Sequence, residues 1–394
     1  MQEKNIKAIT VSIIAITVFT MLIFTAGYAY FASNLSLNSA NYQLNLPKQV
    51  SLVCIKNDCD LPISIGMMTS GNASTTTPKM TNTCAVNCTC TGTPGSVCDF
   101  KVRLKESGLP YMPSSGIGTN KELTVKVTSP AGCTAQNSSG TETQLNTMKN
   151  KLVSNCTLTV PQGGSISANV TAEFKWYNLS LDQNKHAGRV YSYRLIPGDR
   201  LPSEYQEVEY ITLTGTQYIK TGFFLSPNTD GFSVTFKSSA TSQNGMIVAD
   251  TGGSTTTGSY IWAYYYNSGA KIGFWTKLGS ATASTTLDTN IHTMTYYGKK
   301  TYYDDTFISD WTSVNYGTPN YEMLVGANYY SGKYNFFYKG NIYEVVFYRN
   351  GAVAMDLVPC YLKGSTPVAG LYDVVGGQFY ANSGSGTIGY GAAV

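Results

Sequence analysis

Glu207 and Glu209 stand two apart, so an extended chain places both carboxylates on one face. Paired carboxylates at a fixed separation are what glycoside hydrolysis needs: one protonates the leaving oxygen, the other attacks the sugar. A full hydrolytic set would read E-x-D-x-E along one strand. Here Tyr205 and Ile211 occupy the flanking positions, and Glu204 has the wrong parity. No catalytic residue is assigned, and the pair reads as exposed acids that protect an edge strand from aggregation. His186 and His292 are the only imidazoles, which leaves few options for zinc or Ser-His chemistry.

Cysteine is the second reactive type. Eight of the nine cysteines, Cys54, Cys59, Cys84, Cys88, Cys90, Cys98, Cys133 and Cys156, lie in one stretch. In an oxidising compartment an even cluster reads as a disulfide framework, and eight cysteines leave about 105 pairings open. A zinc cage at Cys84, Cys88, Cys90 and Cys98 is the competing chemistry, but their spacing is not a paired C-x-x-C. Cys360 is left over as a small apolar residue and a single free thiol.

The most informative constellation is aromatic. In Ser259–Asn267, Tyr260, Trp262, Tyr264 and Tyr266 alternate with Ile261, Ala263 and Tyr265. In Lys271–Lys277, Ile272 and Phe274 alternate with Lys271, Trp275 and Lys277. A hairpin loop at Asn267–Ala270 pairs Tyr266 with Lys271, Tyr265 with Ile272, Ala263 with Phe274 and Trp262 with Trp275. One face is then apolar, and the other carries Tyr260, Trp262, Tyr264 and Trp275 with Lys271 and Lys277 at the rim. A one-residue slip would invert a whole strand, so this register is strongly selected. Flat aromatic faces stack on the C–H side of sugar rings, and rim donors select hydroxyls. The rival use of these rings is packing beneath a loop or a neighbouring domain.

The elements that position these residues are strands. Only 13% of residues are charged, while Gly (38) and Tyr (30) abound, a profile of exported all-β domains. Period-2 patterns occupy Val50–Lys56, Leu61–Gly66, Asp99–Lys105, Glu122–Thr128 and Cys156–Val160. The clearest is Ile166–Trp176, and Val190–Leu195 closes the run. Met67–Val97 reads as a loop held by cross-links, and Leu145–Leu152 as one short helix. Ile196–Pro202, with two prolines and a glycine, reads as a linker. Aromatic-rich strands follow at Val208–Thr214, Tyr218–Phe224, Gly231–Lys237, Met246–Asp250, Tyr260–Tyr266, Lys271–Lys277, His292–Tyr297, Lys300–Tyr303, Met323–Ala327 and Gly340–Tyr348.

Ala8–Ala32 is uncharged and long enough to cross a bilayer as a helix. Lys4 and Lys7 precede it, which keeps residues 1–7 in the cytoplasm and exports the remainder. A cleaved signal peptide, with Gly27 and Ala29 at the cleavage site, is the competing reading, but the apolar run exceeds the usual length. The chain thus divides into a cytoplasmic tail (1–7), a signal anchor (8–32), a tether (33–40), a Cys-rich β-sandwich (41–195), a linker (196–202) and a second β-domain (203–394). No sorting motif or hydrophobic tail follows, so the helix is expected to be the membrane attachment. Residues 33–195 carry 14 Lys/Arg against 8 Asp/Glu, and residues 196–394 carry 11 against 14. Neither half has the dense basic patch of a nucleic-acid binder.

The blocks Leu201–Gly222, Phe336–Gly364 and Ala369–Gly386 resemble laminin-G-like, concanavalin A-like jelly rolls of bacterial surface proteins. His292–Asp305 resembles that family's central hairpin. The order of anchor, linker and sandwich, with the strand Val170–Leu179 and the loop Asn178–Gln183, resembles camelysin and TasA surface proteins, from which the cysteines depart. The jelly-roll resemblance implies calcium as an option at Asp230, Asp250, Asp304, Asp305 or Asp310. Converging loop oxygens cannot be read from sequence, so no metal or cofactor is assigned. The expectation is an all-β, single-pass cell-surface protein whose jelly roll recognises a glycan or a surface protein without catalysis. The rivals are a self-assembling matrix component and a glycan hydrolase.

Overall fold

Alternating apolar residues need a two-sheet sandwich to bury one face, and the computed structural model is built of such sheets. It describes residues 41–45, 50–64, 73–114, 121–137, 139–239, 245–250, 261–266, 271–276, 279–282, 288–312, 321–330 and 332–394. The expected membrane span, Tyr260 and Lys277 lie outside these residues. Among the described residues no helix is long and apolar enough to cross a membrane.

In the first half, one sheet has the order Asn41–Asn45, Val50–Asn57, Met80–Gly92, Ser165–Trp176, Leu123–Thr128, Thr143–Gln144. The other has the order Cys59–Ile63, Arg189–Pro197, Val97–Glu106, Leu152–Thr159, Cys133–Ala135. Ser165–Trp176 buries the expected face, with Ala168, Val170, Ala172, Phe174 and Trp176 in the core. The last strand runs two residues into the stretch read as linker, since Pro197 pairs with Val102.

Two expectations fail here. Met67–Val97 is not simply a loop: Met80–Gly92 is a 13-residue strand at the middle of the first sheet. Its buried positions are Cys84, Val86, Cys88 and Cys90. The half-cystines are themselves the apolar members of the period-2 pattern, and treating them only as cross-links hid the strand. Leu145–Leu152 is not a helix but a single 3-10 turn, Leu145–Thr147, ahead of a strand that begins at Leu152. So short a segment cannot repay helix nucleation, and left-handed Asn150 (φ 62°) ends it.

All eight clustered cysteines are paired. Cys54–Cys88 and Cys133–Cys156 join directly opposed residues within a sheet. Cys59–Cys84 and Cys90–Cys98 tie one sheet to the other. Cys360 is a buried free thiol.

In the second half, the larger sheet has 11 strands and is centred on Asp230–Ser238, Lys339–Arg349 and Ala352–Leu362. The opposing six-stranded sheet has the order Ile219–Lys220, Met323–Val325, Gly245–Asp250, Ile261–Tyr266, Lys271–Thr276, Gly279–Thr282. Phe232, Val234, Phe236, Val345 and Phe347 meet Ile219, Val248 and Val325 in the core. Two-residue turns with positive φ set the registers of the larger sheet: Gly298-Lys299, Asp304-Asp305 and Asn350-Gly351. Such turns match the right-handed strand twist.

The two sandwiches meet on a charged seam. Lys105 from the first contacts Asp356 (2.7 Å) and Glu344 (2.9 Å) of the second. Arg103 contacts Glu207 at 3.0 Å, and Arg200 reaches both Glu207 and Glu344. Tyr348 donates to Glu106, and Asn146 donates to Asp305. The positive excess of one half and the negative excess of the other thus meet across this contact.

Candidate functional site

The six-stranded sheet carries the aromatic strands, and its register has the pairing expected from sequence. Trp262 opposes Trp275, Ala263 opposes Phe274, Tyr265 opposes Ile272 and Tyr266 opposes Lys271. Rows of paired residues extend this across the sheet. One row is Ile219, Val325, Val248, Ala263, Phe274 and Ala281. The next is Lys220, Leu324, Ala249, Trp262, Trp275 and Ser280. Adjacent rows alternate faces. Ile219, Val325 and Val248 enter the core, so the row of Lys220 and Leu324 belongs to the outer face.

That outer face carries an aromatic cluster that the sequence reasoning missed. Tyr218, beside Ile219, stacks on Tyr334 with ring centroids 4.2 Å apart. Tyr329 lies 4.9 Å from Tyr334, and Phe337 lies 6.2 Å from Tyr218. The short hairpin of Asn328–Tyr330 and Lys333–Asn335 brings Tyr329 and Tyr334 over Leu324 and Tyr218. Lys220 Nζ sits 5.5 Å above the Tyr334 ring, a cation–π contact at the edge of the cluster. Burial and the hydrogen bond with Tyr334 push the Tyr218 hydroxyl pKa up, keeping it neutral. Glu322 accepts from the Gly222 amide and adds an acceptor near the same end. Phe336 is 46% exposed and left-handed (φ 51°), an unusual conformation for an aromatic residue. The signal available in sequence was Tyr218-Ile219-Lys220, whose alternation puts Tyr218 and Lys220 on the face opposite a core isoleucine.

Of the predicted binding residues, Trp262, Tyr264, Trp275 and Lys271 occupy paired backbone positions in this sheet. Trp262 and Trp275 share the outer row with Lys220, and Tyr264 opposes Gly273 two positions along. Tyr260 and Lys277 fall outside the described residues.

The carboxylates considered for chemistry are engaged elsewhere. Glu207 is not an exposed acid: its carboxylate is locked by Arg103 and Arg200, and its pKa falls because these cations outweigh burial. Asp230 is buried, accepts from the Ser226 amide and contacts Arg349. Asp304 holds His292 Nδ1 at 2.6 Å, while Asp288 holds Nε2 at 2.7 Å. Burial lowers the His292 pKa, but the two carboxylates outweigh it and the net shift is upward. Asp305 contacts Lys149, and Asp310 accepts from the Thr312 amide. Among the described residues no group of three or more His, Cys, Asp and Glu could hold a metal.

A second polar cluster is buried in the first sandwich. Glu122 accepts from the Ser114 hydroxyl (2.5 Å), Gln183 (2.7 Å) and the Tyr111 hydroxyl (2.8 Å). His186 lies 3.3 Å from both Ser114 Oγ and Glu122 and pairs with the Tyr191 hydroxyl at 2.7 Å. Burial alone would raise Glu122, but hydrogen bonds to His186, Ser114 and Gln183 outweigh it and hold the carboxyl at about 2. Ser114 donates to the carboxylate and every member is buried, so the arrangement fastens the core of this sandwich.

No family model matches the chain, and no curated protein does. Among solved structures it is similar to a Bacteroides ovatus protein described as carbohydrate-binding, at 14% identity and a TM-score of 0.34. That alignment covers 80% of this chain and 95% of the other. It is also similar to domains LG4-5 of the mouse laminin α1 chain, at 12% identity and a TM-score of 0.30, covering 66% and 92%. The second of these is a pair of laminin G domains, and neither is a camelysin or TasA protein. At this level of similarity neither protein lends a ligand or a role to the residues above.

Proposed function

We propose that the chain is a non-enzymatic recognition protein and that its ligand, a glycan or a surface protein, meets the outer face of the six-stranded sheet. One observation carries this: the row from Lys220 to Trp275 crosses five of the six strands, and at its Lys220 end Tyr218, Tyr329 and Tyr334 gather. Stacked rings with an adjacent cation offer a flat apolar platform and a hydroxyl donor, the combination a sugar ring uses. The engagement of Glu207 by two arginines supports a role without hydrolysis. The uncharged Ala8–Ala32 stretch supports presentation from a membrane with residues 33–394 outside.

A glycan array probed with residues 33–394 tests the reading, with Trp262→Ala and Trp275→Ala as controls. Defined hits lost in both variants, with unfolding midpoints close to the parent, are expected. Product release would indicate a hydrolase, and self-association without hits a matrix component. Unfolding by Trp262→Ala would place that residue in the core and overturn the site. Protease treatment of intact cells should remove the second sandwich; protection would overturn surface display.

A further inference from the structure

The charged seam sets one lysine nitrogen against two carboxyl groups. Lys105 Nζ lies 2.7 Å from Asp356 Oδ2, inside the contact between the sandwiches. Both side chains are almost wholly excluded from solvent. Asp356 Oδ1 is buried with no hydrogen-bond partner among the described residues. Glu344 Oε1 touches the same nitrogen at 2.9 Å, and its other oxygen accepts from Asn150 at 3.3 Å. Glu344 and Asp356 lie on neighbouring strands whose register pairs Val346 with Asp356, so the two acids are diagonal neighbours on one face. A buried ion pair gives little net stability, because desolvation cancels most of the attraction. A lysine nitrogen held against a carboxyl group, with a second carboxylate on that nitrogen, is also an arrangement for amide formation.

We propose that Lys105 and Asp356 are joined by an amide bond, formed within the folded chain with Glu344 as the proton carrier. The amine is the nucleophile once it has lost a proton, and Glu344 is placed to take it. Nζ attacks Cγ of Asp356, the Nζ–Cγ bond forms and one Cγ–O bond breaks. Of the three ammonium protons one stays on the amide nitrogen, and two leave with the oxygen as water. The ammonium–carboxylate pair thus becomes a neutral amide and one water, with no oxidant or co-reactant. Holding both groups on packed strands makes the step unimolecular, and the dry site opposes hydrolysis of the product. Burial also raises the Asp356 pKa, towards the protonated acid whose oxygen leaves as water. Lys105 is pulled down by burial and up by Asp356 and Glu344, with a net rise, while Glu344 is pushed up by burial and pulled further down by Lys105 and Arg200, so the ion pair is the resting form and proton transfer to Glu344 is uphill. The bond would tie the two sandwiches covalently through one neutral link.

Intact-mass measurement of the purified full chain, fully reduced and denatured, tests this directly. The expected result is a mass one water below that of the reduced sequence, and a branched tryptic peptide joining the segments around Lys105 and Asp356. Glu344→Gln keeps both partners and should retain the water, as should Lys105→Arg. A wild-type chain at full sequence mass without a branched peptide would overturn the proposal and leave an ion pair. Water loss that persists in Glu344→Gln would overturn the role of Glu344. The wild-type measurement decides the existence of the bond even where a variant fails to fold.

Discussion

Among single residues, Tyr334 is the one on which the proposed recognition site most depends. It stacks on Tyr218, lies beneath Lys220 and remains half-buried, so its ring is shared between a small cluster and the surface. Tyr334→Ala should weaken ligand binding by about 1–3 kcal/mol, as at aromatic hot spots, and Lys220→Ala should make the residual binding less sensitive to salt. Titration calorimetry at two salt concentrations measures both; unchanged affinity in Tyr334→Ala would remove the cluster from the site. Glu122 acts on stability alone. Its folded carboxyl titrates at about 2, below its ordinary 4.5, so the stability it contributes is present above 4.5 and is lost as pH falls from 4.5 towards 2. The shift corresponds to about 3 kcal/mol. Denaturant midpoints across that window should fall steeply in the parent and much less in Glu122→Gln, which starts from a lower plateau.

The strand Met80–Gly92 is the element that ties the first sandwich together. It pairs with Val50–Asn57 on one side and Ser165–Trp176 on the other, and its half-cystines reach both a neighbouring strand and the opposite sheet. Replacing Cys54 and Cys88 together by serine removes a link that closes a 34-residue separation. In the chain-entropy account that costs about 2–4 kcal/mol, read as an earlier denaturant midpoint in a chain that keeps its strand signal. Cys360 lies in Ala352–Leu362, where burial pushes its thiol up to about 12. Under non-reducing conditions one thiol should alkylate, and only after unfolding. Rapid labelling of the native chain would contradict that burial.

Over the whole molecule, the seam decides whether the two sandwiches behave as beads or as one body. Glu207 is the shared partner of Arg103 and Arg200, and all three side chains are largely buried. Glu207→Ala leaves two buried guanidinium groups with one carboxylate fewer, which should cost about 3–5 kcal/mol. Calorimetry should show a single transition in the parent and a lower, split transition in the variant. Two well-separated transitions in the parent would mean that the halves fold independently.

Alternation by itself determined the all-β class, most strand positions and the hairpin register of Trp262 with Trp275, because parity leaves one pairing that puts Ala263, Tyr265, Ile272 and Phe274 in register on one side. The even cluster of eight cysteines, in a chain read from sequence as exported, likewise implied a closed disulfide set. The tertiary structure decided what depends on distant partners. Which cysteines pair follows from the strand order around Met80–Gly92, and no spacing rule encodes that order. Glu207 reads as an exposed acid until Arg103, 104 positions earlier, is brought against it. Tyr334 joins Tyr218 only because the hairpin Asn328–Asn335 folds over the sheet. Local pattern records which face a residue takes, whereas the identity of the group across from it is a property of the packed chain.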